Sequence, residues 1–158
     1  MATEDPSSDG SELTDAGIDE LLRTVGYGTL SLARDGEAYG IPVSFGYDGD
    51  RVFLYLIRFG DDSEKLDFAA ETEQASLTVL DVNDRFDWSS VVVRGTLAAA
   101  EDVDHAEDVI DDNAWHPSLF ASGTDGAMTE VRRMTLSVEE ASGRVGASYA
   151  ENVPEAGE

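Results

Sequence analysis

The chain has 158 residues, with 34 Asp or Glu against ten Lys or Arg, so its formal net charge at pH 7 is −24. An ordinary small domain stays soluble with a net charge of about 2–8. A surface this acidic repels itself in dilute buffer, whereas molar salt shortens the screening length to about 3 Å. The composition therefore predicts a salt-adapted protein. It argues against nucleic acid or an anionic membrane as a partner, because both bind basic surfaces.

Further properties of the chain limit its class. It has no cysteine, which excludes disulfides and thiolate chemistry, and its apolar share of 41% suits a single domain with a sizeable core. Neither a signal peptide nor an apolar run of about 18 residues is visible, so we expect a cytoplasmic protein. We expect disorder in residues 1–10, one domain over residues 11–148 and an acidic tail over residues 149–158.

The first predicted element is an amphipathic helix that begins after Thr14, a good N-cap, and ends at Gly26. Its apolar side follows the spacing i, i+3, i+4, i+7 and consists of Ile18, Leu21, Leu22 and Val25. Two later helices are predicted, a short one capped by Ser63 and an acidic one over residues 101–113.

Strand-like segments make up most of the remaining chain. Asp-Gly pairs at 35–36 and 48–49 are hairpin signals between the first three of them. The six predicted strands are residues 27–33, 38–47, 51–58, 74–82, 88–100 and 129–139. Closely spaced strands with few inserted helices predict a mainly β protein with short helices, and an antiparallel β-barrel rather than an α/β sheet.

Familiar catalytic motifs are absent from the sequence. His105 and His116 lack metal-ligand spacing, and neither a nucleophile elbow nor a Walker or Rossmann glycine pattern occurs. His105 lies in an acidic helix, where we expect it to be solvated. If the chain is an enzyme, an organic cofactor is expected to carry the chemistry.

Residues 39–45, Tyr-Gly-Ile-Pro-Val-Ser-Phe, form a strand that contains both glycine and proline. Gly40 has no side chain and Pro42 donates no backbone hydrogen bond, so part of this strand's backbone is left for a flat ligand. An edge strand with a bulge explains the same residues equally well.

A possible anion site follows the third strand. Arg58 ends that strand, Ser63 caps the next helix, and Lys65, the single lysine of the chain, falls in the first turn of that helix. A lysine at this end of a helix is unfavourable unless it helps to hold an anion. We therefore favour a phosphate site formed by these side chains over a simple ion pair of Lys65 with an acid.

Residues 88–95, Trp-Ser-Ser-Val-Val-Val-Arg-Gly, form a strand with core character. By period-two alternation Ser90 and Arg94 lie on the same face as Trp88. Packing explains the valines of this strand but not these two polar residues.

Taken in order, these segments resemble the FMN-binding split-barrel family, the relatives of pyridoxamine 5′-phosphate oxidase, in an acidic, haloarchaeal type. The resemblance covers residues 14 to 145 and rests on four motifs: Tyr-x-x-Pro-Val-x-Phe-x-Tyr-Asp-Gly at 39–49, Ser-x-Lys-Leu at 63–66, Trp-x-Ser-Val-Val-Val-x-Gly at 88–95 and the closing segment 136–144. It implies a six-stranded antiparallel split β-barrel that forms a homodimer, with FMN between the subunits. Related barrels also bind the deazaflavin F420 or haem, and haem ranks low here because neither histidine lies in a ligand setting.

The resemblance also implies which residues contact the cofactor. Lys65 would bind the phosphate with Ser63 and Arg58, and the ring would lie against the neighbouring strands. The complete implied set is Pro42, Val43, Ser44, Tyr55, Leu56, Ile57, Arg58, Ser63, Lys65, Ser90 and Val91. Trp115 and His116 would reach the site from a loop, although no family motif supports this.

Three functions follow from the sequence. The first is an FMN-dependent oxidoreductase acting on an unknown small molecule. The family's C-terminal substrate segment is not recognisable, which argues against pyridoxamine phosphate, and Leu56 stands where nitroimidazole-reductase-like relatives carry a histidine. The second is a non-catalytic flavin carrier or stress-linked sensor. The third is an interaction protein whose groove is empty.

Overall fold

The computed structural model describes residues 11–59, 64–113 and 128–148, with side chains described for 11–56, 66–112 and 131–148. The predicted terminal segments, Ser63, Trp115 and His116 lie outside the described residues. The elements in chain order are β1 (Ser11–Glu12), α1 (Asp15–Thr24), β2 (Tyr27–Arg34), β3 (Glu37–Tyr47), β4 (Arg51–Phe59), α2 (Glu64–Glu71), β5 (Ala75–Val82), β6 (Trp88–Gly95), β7 (Leu97–Ala99), α3 (Val103–Asn113), β8 (Met128–Ser137) and β9 (Glu140–Val145).

The strands form one antiparallel sheet in the order β1-β9-β6-β5-β2-β3-β4-β8-β7. The mainly β class with short helices is therefore confirmed, but the described residues contain nine strands rather than six. The predicted strand 88–100 divides at Thr96, because β6 pairs with β5 and β9 while β7 pairs with β8. Since Thr96 alone joins β6 to β7, the sheet must curve back toward its own end.

The hairpins follow the predicted turn residues. Asp35 and Gly36 both have positive φ, 46° and 81°, and join β2 to β3 with Arg34 opposite Glu37. A two-residue Asp-Gly loop of this kind matches the twist of the flanking strands. It aligns β2 with β3 over their full paired length.

The main core lies on the concave side of the sheet. Alternate residues of the strands point into it, and α1 adds Ile18, Leu21 and Leu22, which are at most 7% exposed. The α1 prediction is confirmed, including the cap, since the Gly17 N–H donates to Thr14 Oγ1 at 3.0 Å. From α2, Leu66 and Phe68 are buried in the same core. Within the described residues, no helix has the length and apolar character needed to span a bilayer.

Helix α3 packs on the opposite, convex side of the sheet, over β3, β4 and β8. Ala106 and Ile110 are buried there against Phe53 in a second, smaller core cluster. The backbone of α3 approaches the sheet at Gly46, where an added Cβ would lie 2.7 Å from the Val109 carbonyl carbon. Only glycine allows so close an approach of the helix to the strand.

The start of α3 is also tied to the turn between β3 and β4. His105 Nε2 lies 3.0 Å from Asp48 Oδ2, while Asp48 Oδ1 accepts from the N–H groups of Asp50 and Arg51. Burial would raise the pKa of Asp48, but the hydrogen bonds from His105 and these N–H groups outweigh it and lower that pKa. His105 is exposed as predicted, yet it is a structural contact as well.

Candidate functional site

Strands β3 and β4 part from each other halfway along their length. Their described ladder begins at Tyr47↔Val52 and stops at Phe45↔Leu54. Beyond that point β3 pairs with β2 back to Glu37, and β4 continues with β8. The resulting gap, between residues 40–44 of β3 and 55–57 of β4, is called the β3–β4 cleft below.

Backbone groups of β3 face this cleft. In an antiparallel ladder, residues alternate between those that bond to one neighbouring strand and those that bond to the other. Phe45 N–H donates to Gly26 C=O at 2.8 Å, so the odd residues of β3 bond toward β2. The backbones of Gly40 and Pro42 therefore turn toward β4. Proline is tolerated because its missing N–H would point into the cleft rather than into the ladder.

The implied cofactor residues divide by side-chain direction. Val43, Leu56 and Val91 are at most 5% exposed and belong to the main core. Their side chains point away from the convex surface, so only their backbones could meet a ligand there. Pro42 is exposed on the convex side, and Ser90 is partly exposed on the same side of β6. The set implied by the resemblance did not separate side chains that point into the core from those on the convex side. The period-two alternation of each strand could have shown this difference.

Ser44 and Tyr55 flank the point where the strands part, and Ser44 is 8% exposed. Tyr55 packs beside the α3 cluster, with the Arg133 guanidinium 5.7 Å from its ring centre. Arg133 Nε in turn donates to Glu107 of α3 at 2.7 Å. Burial first, and then the charge of Glu107, raise the pKa of Tyr55, so its hydroxyl stays protonated at neutral pH.

The predicted anion site is described only in its backbone. Ile57 and Arg58 are in β4, and Lys65 is the second residue of α2, in the first turn as predicted. Their side chains, and Ser63 as a whole, lie outside the described residues. Phe68 of α2 stacks on Tyr39 of β3, with ring centres 4.9 Å apart, and this contact holds α2 beside β3.

The convex face of four strands, β3, β2, β5 and β6, carries no acidic residue. It consists of Ala38, Gly40, Pro42, Ser44, Tyr27, Thr29, Ser31, Ala33, Ser76, Thr78, Leu80, Val82, Trp88, Ser90, Val92 and Arg94. Acids are 34 of the 158 residues, so about three would be expected among these positions, and more if the face were ordinary exposed surface. We call these sixteen positions the acid-free face.

The acid-free face also exposes large apolar side chains. Leu80 is 54% exposed, Val82 is 65% exposed and Tyr27 is 39% exposed. On the neighbouring strand β9 the same side of the sheet becomes polar and charged again, with Glu140, Ser142 and Arg144. The face was missed from the sequence because its members come from four strands whose adjacency only the sheet order reveals.

No metal chemistry is indicated in the part of the chain that the structure describes. Its His, Asp and Glu residues form no group of three or more that could hold a metal ion.

Comparison with known proteins identifies a family. A family model described as pyridoxamine 5′-phosphate oxidase matches residues 14–145, which is most of the chain. No curated protein matches the sequence significantly.

Solved structures share the fold at low sequence identity. A FAD-binding protein from Mesorhizobium loti superposes with a TM-score of 0.68 at 21% identity, covering 85% of this chain and 96% of that one. A candidate pyridoxamine 5′-phosphate oxidase from Corynebacterium glutamicum gives 0.64 at 21%, covering 90% and 95%. A candidate 5-nitroimidazole resistance protein from Bacteroides thetaiotaomicron gives 0.62 at 17%, covering 86% and 87%. At these identities the likeness shows the fold alone.

Proposed function

The chain belongs to the pyridoxamine 5′-phosphate oxidase family, and from this premise we propose that it is a flavoprotein that binds FMN at the β3–β4 cleft and acts as an oxidoreductase on a small molecule. The observation that carries the proposal is the parting of β3 from β4 at Ser44 and Tyr55, within the implied cofactor residues. When bound, FMN supplies the redox chemistry, while the chain binds and orients it.

The described residues fit a flat, anionic cofactor. Gly40 has no side chain and Pro42 has no N–H at the cleft edge, so a planar ring can lie close to the backbone there. The neighbouring face carries no carboxylate that would repel a phosphate. Lys65 lies in the first turn of α2, where the helix N-terminus and an ammonium group both favour an anion.

The acid-free face supports the proposed homodimer. Two copies of a chain with charge −24 repel each other, so a stable contact needs a surface without acids. Leu80 and Val82 would lose exposed apolar area by packing against a second copy. The face also borders the cleft through Pro42, which agrees with a cofactor held between subunits. We further propose a cytoplasmic, salt-adapted protein without nucleic-acid or membrane partners.

The proposal is tested first by the chromophore. Purified protein should have a flavin absorption spectrum, and denaturation should release a molecule with the mass of FMN. The mass of a deazaflavin or of FAD would retain the cleft but change the cofactor, whereas a colourless protein that binds no added flavin contradicts the proposal. Turnover with a nicotinamide nucleotide and a generic acceptor distinguishes an enzyme from a flavin carrier.

The phosphate site is tested by Lys65→Ala. Loss of a charge-assisted contact to a phosphate should weaken FMN binding about ten- to hundredfold. Arg85→Ala is the matched control, since Arg85 is a cation in the β5–β6 turn, where it lies over Phe86. Equal FMN affinity in the two variants would remove Lys65 from the site.

The dimer surface is tested by Val82→Asp, which puts a carboxylate on the acid-free face. We expect the molar mass in molar salt to fall from that of a dimer to that of a monomer. Val103→Asp is the control, because Val103 is 42% exposed on α3, outside the face. Dissociation by both variants, or by neither, contradicts this surface.

A further inference from the structure

Four residues form a row across the acid-free face, from Gly40 at the cleft to the cation Arg94. The register places Gly40 opposite Ser31, Ser31 opposite Ser76, and Ser76 opposite Arg94. Neighbouring strands lie about 4.8 Å apart, so the row spans roughly 14 Å. One end is the cleft edge at Gly40, and the other end is the only charged side chain of the face.

Arg94 differs from the other arginines whose side chains the structure describes, because each of those has a side-chain or ring contact. Ion pairs with Asp or Glu are formed by Arg23, Arg34, Arg51 and Arg133. Among the residues that the structure describes, no side-chain partner of any kind is found for Arg94, although Glu140 lies directly across from it on β9. Arg85 also lacks a carboxylate partner there, but its guanidinium lies over the Phe86 ring, whereas the planar donors of Arg94 remain available to another anion.

The row borders a hollow of about 300 Å³ on the surface of β2, β5 and β6. It is lined by Ser31, Leu32, Ala33, Ala38, Gln74, Ala75, Ser76 and Arg94, none of which is acidic. The hydroxyls of Ser31 and Ser76 also find no partner within the described residues. Two hydroxyl donors and a guanidinium therefore face one hollow whose other walls are mostly small side chains, and this donor set suits an oxyanion.

An ordinary solvated arginine is the competing explanation, since Arg94 is exposed. It does not account for two hydroxyls and a guanidinium lining one hollow, none of whose lining residues is acidic. The two ends of the acid-free face also differ, because the large apolar side chains Leu80 and Val82 lie toward the β5–β6 turn and the hollow lies at the opposite end of β5. The hollow is thus a separate feature from the apolar surface assigned to the second copy.

We propose that the hollow at Arg94 binds the phosphate or carboxylate of a small molecule, whose remainder extends along Ser76 and Ser31 toward the β3–β4 cleft. Arg94 supplies the charge, and Ser76 and Ser31 supply neutral donors. The proposal that an anion binds at Arg94 depends only on the residues that line the hollow and on their contacts. Its use as the anchor of a substrate that reacts at the cleft rests on the proposed function.

Inorganic phosphate is the probe. In protein labelled with ¹⁵N-arginine and kept in molar potassium chloride, the side-chain signal of Arg94 should shift saturably with added phosphate, while that of Arg85 should not. Arg94→Gln should lower phosphate affinity about tenfold or more. Ser76→Leu, which fills the hollow and keeps the guanidinium, should lower it as well, whereas Arg85→Gln should leave it unchanged.

Three outcomes overturn the inference. If the Arg94 and Arg85 signals shift equally with added phosphate, the shift reflects non-specific ion accumulation. If the phosphate affinity of Ser76→Leu is unchanged, phosphate does not bind in the hollow. If the Arg94 signal instead changes with protein concentration and ignores phosphate, an acid of the second copy is its partner. Flavin absorbance of the same variants separates the two proposals: lost phosphate binding with retained flavin supports this site, whereas phosphate binding without any flavin contradicts only the proposed function.

Discussion

Replacing Gly46 by alanine should push α3 away from the sheet, whereas the same substitution at Gly40 should not. A Cβ added at Gly46 would lie 2.7 Å from the carbonyl carbon of Val109 and 2.8 Å from Ile110 Cα. Both are backbone atoms, so no side-chain rotation relieves the clash and the helix itself must move. A Cβ at Gly40, on the same strand and the same face, meets only a methyl carbon of Thr29 at 3.6 Å.

The size of the effect follows from the packing. To reach ordinary contact distance α3 must withdraw by roughly 1 Å, and overpacking of this kind costs about 1–3 kcal/mol. At Gly40, alanine chiefly restricts the unfolded chain, so the free energy of unfolding should stay the same or rise by up to about 1 kcal/mol. In a domain of this length 1 kcal/mol corresponds to about 2–4 °C in melting temperature.

Thermal unfolding of both variants in molar salt, followed by far-UV circular dichroism, is the assay. We expect a lowered melting temperature only for Gly46→Ala. If Gly46→Ala is as stable as the unmodified protein, or if both variants lose the same amount, the close approach of α3 to β3 is refuted.

Four further predictions concern hydroxyls, charges and salt. Ser89→Ala should be neutral or slightly stabilising, because the buried Ser89 hydroxyl has no hydrogen-bond partner among the described residues. Thr72→Val should cost about 1–2 kcal/mol in a denaturant titration, because the Thr72 hydroxyl donates to Phe68 C=O at 2.6 Å. Burial, and then the charge of Asp19, raise the pKa of Tyr47 to about 12, so stability should fall as pH rises from 10 to 12, and ultraviolet absorbance should show one tyrosine ionising late. Because the pKa of Asp48 is lowered in the fold, its ionised form stabilises the protein above the pH at which an ordinary aspartate titrates, and this contribution is lost in acid. The free energy of unfolding of Asp48→Asn should therefore fall less steeply as the pH is lowered. Reducing salt from molar to about 0.1 M, where the screening length grows to roughly 10 Å, should lower the melting temperature, and an unchanged value would contradict salt adaptation.

Local signals predicted most of the fold correctly. Capping and helical spacing identified α1, and Asp35-Gly36 identified the turn between β2 and β3. The division of residues 88–100 into two strands could not be obtained in this way, because the break at Thr96 depends on which partner strand each half meets. Pairing over long sequence separation leaves no mark on a run of apolar residues.

The β3–β4 cleft was partly predictable from the sequence, but the side-chain directions around it were not. Ser44 and Tyr55 lie where β3 and β4 part, and Gly40 and Pro42 in the same strand were the sequence signal. Val91 and Leu56 point into the core, which alternation implies once one residue of each strand is known to be buried. Arg94 was recognised as unusual, but its link to Gly40 depends on registers across three strand pairs.

The distribution of acids indicates which surfaces of this chain make contacts. In an ordinary protein a face without carboxylates is common, whereas 34 of the 158 residues here are acidic, so sixteen neighbouring positions without an acid are unusual. Acids keep water and ions at a surface and repel further copies, so a face that makes contacts must lose them. The same loss makes that face a place where few charges oppose an added anion. Arg94 is the single charged side chain of the acid-free face. The acidic composition that predicts adaptation to salt therefore also points, through the face that lacks acids, to the proposed anion site at Arg94.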